Sequence, residues 1–229
     1  MEDFVHLHVH THYSILDGQS KVPYLVDKAI KDGMKGMAIT DHGVMYGIKE
    51  FADYCGKVNK KRKADGLEPF KPIFGCEMYV AHHHKEDRKK EDGDNSGYHL
   101  IVLAKNYKGY KNLIKLVSRS WVDGYYYRPR TDRYDLEQFH EGLIVSSACL
   151  GGEIPQKIMK GKLDEAREAV EWYHNLFGDD FYLELQRHEV TDPSIRANRE
   201  VFPLQQKVNA VLMQFAKEYG IKLICTNDC

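Results

Sequence analysis

The sequence predicts an α/β fold in which helices wrap a parallel sheet, better closed as a barrel than left open as a doubly wound sheet. Short β-branched or aromatic runs alternate with amphipathic stretches almost from end to end of the 229 residues. Seven such runs with seven spacers suit a barrel. Residues of ligating type gather where several of those runs end, and parallel barrels carry their sites on that face.

Phe4–His10 opens the pattern. With side chains alternating, Val5, Leu7 and Val9 face the helices while His6, His8 and His10 face the interior. Imidazoles buried together need partners, and metal ions are the usual ones. The amphipathic stretch Val22–Lys31 leads to Gly36–Thr40, which hands over to Asp41, His42 and Gly43. Gly47–Lys63 is a second helix whose basic end (Lys57, Lys60, Lys61, Arg62, Lys63) reads as solvated. Pro72–Val80 sets a lone carboxylate, Glu77, in an otherwise apolar strand. A buried Glu without a counter-charge is costly, and bridging two cations is one remedy.

Ala81–Gly97 reads as a mobile loop carrying His82, His83 and His84. His99–Ala104 starts with a histidine at the wrong end for a parallel barrel strand, so either the strand is offset or His99 is structural. Tyr107–Ser118 is helical. Ser120–Thr131, with Trp121, Tyr125, Tyr126, Tyr127, Arg128 and Arg130, reads as a loop that, with Arg133, contacts nucleic acid or packs against further domains. Leu143–Ser147, Leu163–Phe177, Phe181–Gln186, Gln205–Tyr219 and Lys222–Thr226 complete the alternation, with Asp228 just past the last strand. No internal repeat or linker divides the chain, so one domain over residues 1–229 is expected.

Composition excludes several classes. The 33 basic and 34 acidic residues leave a formal net charge of -1. No global positive field draws in nucleic acid, and any such binding rests on local patches or other domains. No apolar run approaches the ~20 residues that cross a bilayer, so no membrane partner is expected. The acidic opening Met1-Glu2-Asp3-Phe4 lacks both parts of a signal peptide. Five irregularly spaced cysteines (Cys55, Cys76, Cys149, Cys225, Cys229) argue against a disulfide framework and for a reducing, cytoplasmic setting.

His8 and His10 project to one side of a strand, where they chelate one ion or form a satisfied polar pair in solvent. Asp41 reads as a cap or turn former rather than a ligand, and Asp17 reads equally as a turn residue. Cys149, on spacing alone, is an inert buried thiol.

The opening His6-Leu7-His8-Val9-His10-Thr11-His12-Tyr13-Ser14-Ile15-Leu16-Asp17-Gly18, the turn Thr40-Asp41-His42-Gly43 and the ending Thr226-Asn227-Asp228 resemble the PHP (polymerase and histidinol phosphatase) domain. They resemble the version carried by bacterial replicative DNA polymerases, as do Gly109–Leu113, Gly142–Ile144 and Leu150–Pro155. The resemblance implies a distorted seven-stranded (β/α) barrel, TIM-barrel-like and truncated here after the seventh strand, with two or three divalent ions (Zn, Mn or Fe). It implies that His8, His10, Glu77 and Asp228 hold one ion. Glu77 would bridge to a second held by His99 and Cys149, and Asp17 and His42 would hold a third. In the family the third ion also takes a histidine two positions after the aspartate. This chain stops at Cys229, one residue short, and is expected to be a fragment of a longer polypeptide.

The function implied is metal-dependent phosphoester hydrolysis, with a DNA 3′ end as substrate and His10, Glu77 and Asp228 as the catalytic set. The partners implied are the remaining polymerase domains in cis and a separate proofreading exonuclease subunit. Two rivals stay open: a metal-stabilised docking module without hydrolytic activity, and a free-standing phosphatase of the histidinol phosphate kind. His188, after Glu184-Leu185-Gln186-Arg187, is a candidate for supporting a ligand from behind.

Overall fold

The computed structural model describes residues 4–15, 17–88 and 96–229. Met1, Glu2, Asp3, Leu16 of the opening motif and residues 89–95 of the expected loop lie outside the described residues. In chain order the elements are α1 (Val22–Lys31), β1 (Gly36–Ile39), α2 (Ile48–Ala64), β2 (Lys71–Val80), β3 (Tyr98–Ala104), α3 (Tyr107–Val122), β4 (Tyr125–Tyr126) and β5 (Arg128–Thr131). There follow α4 (Arg133–Phe139), β6 (Leu143–Ser146), α5 (Glu153–Met159), α6 (Leu163–Phe177), β7 (Phe181–Gln186), α7 (Phe202–Tyr219) and β8 (Lys222–Thr226).

Local chemistry sets these boundaries. Pro23 stands in the first turn of α1, where its missing N–H is harmless, and Val22, Val26 and Ala29 fall on one buried face. Lys61, Arg62 and Lys63 lie in the last turn of α2, complementing the helix dipole as a solvated basic end should. Asn106 caps α3 by accepting from the Gly109 N–H, and Asp132 caps α4 by accepting from the Asp135 N–H. Gly220, at φ 68°, ends α7 in the left-handed region that favours glycine.

The sheet runs β4-β5-β2-β3-β6-β7-β8, with β1 also paired to β2. It curls in the TIM-barrel-like way the sequence predicts, with helices packed outside. Alternation along β2 sorts the residues: Cys76, Met78 and Val80 join Leu100 and Val102 in the main apolar core, with Leu113, Leu116, Leu212 and Phe215. Each such aliphatic side chain contributes ~1.5–3 kcal/mol by leaving water. Glu77 and Tyr79 take the other face.

Three expectations need correction. First, the sheet is not wholly parallel: β3 runs antiparallel to both β2 and β6. The β4–β5 hairpin is antiparallel too, whereas β1–β2, β2–β5, β6–β7 and β7–β8 are parallel. Second, residues 4–10 form no regular strand; the chain bends at His8. It still lies between β1 and the end of the chain, with Ala38 N–H donating to His6 O, Thr40 N–H to Val9 O and His10 N–H to Cys229 O. The bend breaks the alternation: Leu7 packs with Ala38, Ile101 and Leu103, while Val9 packs with the α1–α2 core. His6 turns away from the other two histidines and lies half-buried, 3.8 Å from the Cys229 sulfur.

Third, Ser120–Thr131 is no loop. It holds the end of α3 and the hairpin β4–β5, in which Tyr126 pairs with Arg128 and Tyr127 forms the apex. Nearby, His82 stacks on Tyr98 at 4.1 Å and the exposed His84 approaches Asp132 at 3.5 Å, so both imidazoles have partners.

Candidate metal centre

Glu77 sits at the middle of the site because β2 turns it inward while the β1-to-α2 connection wraps its backbone. The Glu77 N–H donates to Thr40 O and Asp41 O, and Gly43 N–H donates to Glu77 O. The turn Thr40-Asp41-His42-Gly43 is thereby laid against β2, and His42 faces the Glu77 carboxylate.

The predicted residues converge on that carboxylate. Its Oε2 lies 3.3 Å from His8 Nε2, 3.0 Å from His10 Nε2 and 3.0 Å from His42 Nδ1. Its Oε1 lies 2.8 Å from His99 Nδ1 and 3.7 Å from Cys149 Sγ. Asp228 Oδ1 stands 3.2 Å from both His8 Nε2 and His10 Nε2. Asp17 Oδ2 is 3.3 Å from His42 Nε2 and 3.7 Å from His10 Nδ1. Seven of the eight sequence-predicted residues fall into overlapping His8–His10–Glu77–Asp228, His10–Asp17–His42 and His42–Glu77–His99 groups, and Cys149 lies at their edge, 3.5 Å from His99 Nδ1.

The reversed direction of β3 explains His99. An antiparallel strand begins at the end where its neighbours finish, so a residue at the start of β3 reaches the C-terminal face. Tyr79 pairs with His99 in the register, and Glu77 with Ile101. The ring then approaches Gly151 so closely that a Cβ there would lie 2.9 Å from it; Gly151 leaves that space.

A surrounding set of groups aims the imidazoles. His8 Nδ1 meets Glu184 Oε1 at 2.7 Å, and Glu184 also accepts from the hydroxyls of Ser146 and Thr226. His10 Nδ1 meets Ser14 Oγ at 2.9 Å, and Ser14 donates in turn to Asp41 Oδ1. Asp41 accepts from the Thr11 N–H and hydroxyl as well, so it is neither ligand nor helix cap but the clamp that holds the 11–14 turn. Both inner nitrogens, Nε2 of His8 and of His10, are left facing Glu77 and Asp228. His188 Nε2 binds the carbonyl of Asn227 at 2.6 Å, bracing the backbone beside Asp228.

Glu184, Ser14, Thr11 and Asp41 in this role were not foreseen from sequence. Glu184 carried a usable signal, the same one as Glu77: a lone carboxylate among apolar residues of a strand. The others carried none, because their contacts depend on how the turns fold.

The donor set fits a divalent cation. Four of its atoms, His8 Nε2, His10 Nε2, His42 Nδ1 and Glu77 Oε2, are buried without a hydrogen-bond partner. An unsatisfied buried polar group costs about 1–3 kcal/mol, and native structures seldom keep several together without an ion or water to serve them. Mixed imidazole and carboxylate donors suit Zn, Mn or Fe.

Without a cation the groups share protons. Burial lowers His10, but the adjacent Asp228 and Glu77 carboxylates prevail and push it up to about 9. Burial likewise opposes protonation of His8, which Glu184 and Glu77 nevertheless hold well above the ordinary imidazole value. Glu77 is raised by burial but held well below the usual carboxylate range by His8, His10 and His42. Burial, with Glu77 and Asp228 nearby, pushes the Cys149 thiol well up.

Strain concentrates here too. Among the described residues only Tyr127, Ala148 and Asp228 combine a side chain with positive φ, at 60°, 57° and 53°. Asp228 belongs to the cluster and Ala148 precedes Cys149. Such residues cost about 1–3 kcal/mol each and persist where surrounding structure over-determines them, commonly at functional sites.

The PHP domain family matches residues 6–188. A DNA polymerase III subunit alpha from Borreliella burgdorferi is 44% identical over 98% of this chain and 18% of its own length. Subunits of the same name from Deinococcus radiodurans and Thermus aquaticus are 40% and 42% identical over 98% of this chain, and 16% and 17% of theirs. This chain thus spans less than a fifth of the length of these relatives. Among solved structures, one described as a metal-dependent phosphoesterase from Bifidobacterium adolescentis aligns over 100% of this chain and 88% of its own, at TM-score 0.52 and 14% identity. An amidohydrolase from Chromobacterium violaceum with bound sulfate aligns over 98% and 86%, at TM-score 0.52 and 12% identity. At those identities the likeness is one of fold.

Proposed function

The chain belongs to the PHP domain family, and from that premise we propose that it is a metal-dependent phosphoesterase domain that hydrolyses the 3′-terminal linkage of DNA, within a longer bacterial polymerase subunit. The supporting observation is the convergence of three imidazole nitrogens within 3.0–3.3 Å of one buried carboxylate oxygen. The site is assembled from distant parts of the chain, as a purpose-built donor set would be.

In this reading His8, His10, Glu77 and Asp228 would hold one divalent ion, Glu77 with His99 and Cys149 would hold a second, and Asp17 with His42 would contribute to a third. Bound ions would acidify a water and neutralise charge on the phosphoryl oxygens. The chain's own residues do the rest. Glu184 keeps the His8 proton on Nδ1, and Ser14, backed by Asp41, keeps the His10 proton on Nδ1, so both Nε2 lone pairs point inward. Tyr79, its ring 5.7 Å from that of His42, walls the site on one side. Asp17, about half exposed, marks the open side where substrate enters.

The remaining polymerase domains in cis are proposed partners, together with a separate proofreading exonuclease subunit, in the cytoplasm of a bacterium. Among the described residues no helix is long and apolar enough to cross a membrane.

The test is metal-dependent release of nucleotides from the 3′ end of a 5′-labelled strand, abolished by His10→Ala. Release of phosphate from a phosphomonoester alone would favour the phosphatase reading. A metal-loaded, thermally stabilised protein that hydrolyses neither would sink the enzymatic reading and leave the docking module.

A further inference from the structure

A groove of about 530 Å³ opens over the cluster, with Asp17, His42 and His99 among its lining residues. The size is ordinary for a ligand site, ~300–1,000 Å³. Its walls are unusual, because Tyr46, Trp121, Tyr125 and Tyr127 line it while substantially exposed. Large aromatic rings gathered in solvent at one place mark a binding surface. Trp121 and Tyr125 are stacked, 5.4 Å apart at 19°, and the Trp121 indole N–H donates to Gly43 O, anchoring the pair to the turn that carries His42.

A column of planar groups joins the metal cluster to the rim. The His10 and His42 rings stack at 4.2 Å, His42 and Tyr79 at 5.7 Å, and the Arg128 guanidinium lies 5.6 Å from the Tyr79 ring centroid. Arg128 is exposed, and among the described residues its guanidinium is found over the Tyr79 ring rather than against a carboxylate. Beside it Tyr127, at φ 60°, sits in a conformation that is a genuine outlier for a bulky residue. The one-residue apex of the hairpin holds its ring out at the rim.

Exposed aromatic faces beside an exposed cation form the recognition chemistry of single-stranded nucleic acid: rings stack on bases while the guanidinium takes a phosphate. Paired bases have no free face to offer. The polar floor, continuous with the cluster, suits a charged ligand better than an apolar peptide. We propose that this groove binds an unpaired strand, stacking a base against Trp121, Tyr125 or Tyr127 with Arg128 on an adjoining phosphate, and so delivers frayed 3′ ends to the cluster. The inference rests on the phosphoesterase reading and names the form of substrate it selects.

Binding separates the two. Fluorescence anisotropy would compare a labelled oligothymidylate, an abasic strand of equal length and charge, and a duplex, on the protein as purified and after chelation. The thymidylate should bind about tenfold more tightly than the abasic strand, the effect of one stacked base. Tyr125→Ala and Tyr127→Ala should bring that ratio toward one, Tyr127→Phe should restore it, and circular dichroism should show each variant folded. Arg128→Ala should weaken both single strands alike and flatten the salt dependence by about one phosphate contact. Equal binding of thymidylate and abasic strands overturns the proposal, as does tighter binding of duplex or a ratio untouched by Tyr125→Ala and Tyr127→Ala. Hydrolysis of phosphodiesters without base-dependent binding would discard the groove and keep the enzyme. Base-dependent binding without hydrolysis would do the reverse.

Discussion

Glu184 and His8 meet at 2.7 Å in the fully buried interior, and the opposite nitrogen of the His8 ring faces Glu77 and Asp228. One carboxylate thus orients the ring, and two others share its free edge. Residues that orient a ligand from behind commonly alter metal affinity about 10–100-fold. We expect Glu184→Gln to weaken metal binding by that range in competition with a chromogenic chelator, with the fold retained by circular dichroism. Unchanged affinity would mean that Glu184 serves packing alone.

Glu77→Ala should release most of the bound metal, because Oε2 is the atom on which His8, His10 and His42 converge. Elemental analysis of wild type should give at least one transition-metal ion per chain, and of the variant markedly less. A wild-type protein free of metal yet fully stable would count heavily against the cluster.

Metal uptake should release protons at neutral pH. His10, pushed up to about 9, is protonated at pH 7.5 in the metal-free chain, whereas a ligand imidazole is neutral. Affinity should therefore rise as pH climbs toward about 9. Calorimetric titrations in two buffers of different ionisation enthalpy should give different heats; equal heats would contradict proton release. The sign for folding is opposite. With its pKa raised above the ordinary 6.5, His10 stabilises the metal-free fold fully below that value. That contribution fades as pH rises through about 9.

Lys85 and Asp135 form a buried ion pair at 2.8 Å that ties the 81–88 segment to α4. Asp135 keeps Arg119 at 2.9 Å from Oδ1, but its Oδ2 would lose the one cation paired with it among the described residues. Breaking one side of a buried pair typically costs ~3–5 kcal/mol. Lys85→Met should destabilise by roughly the lower end of that range, read from the shift in urea midpoint at unchanged slope. A shift within error would show that Arg119 alone suffices.

Much of the fold was legible in the chain. α1, α6, β7 and β8 have the predicted limits, and other elements differ at an end by one to a few residues. These segments carry strong periodicity or clear caps. The short helices α4 and α5 are not legible in the chain because seven residues give too few turns for a period to show. The hairpin β4–β5 looks like a loop in sequence because its strands are two and four residues long and turn on a strained tyrosine.

The sequence by itself determined which side chains can serve as donors, and the family pattern determined their order. His-x-His, the Glu inside an apolar strand and the Asp after the last strand are local facts, readable because side-chain spacing is local. Tertiary structure decided which of them meet. The reversal of β3, set by its pairing with β2 and β6 and its packing under α3, carries His99 to the same end as Glu77. The bend at His8 sends His6 outward, and folding of the 11–14 turn onto Asp41 aims His10. Those outcomes depend on contacts between residues far apart in the chain, which no window of neighbouring residues contains.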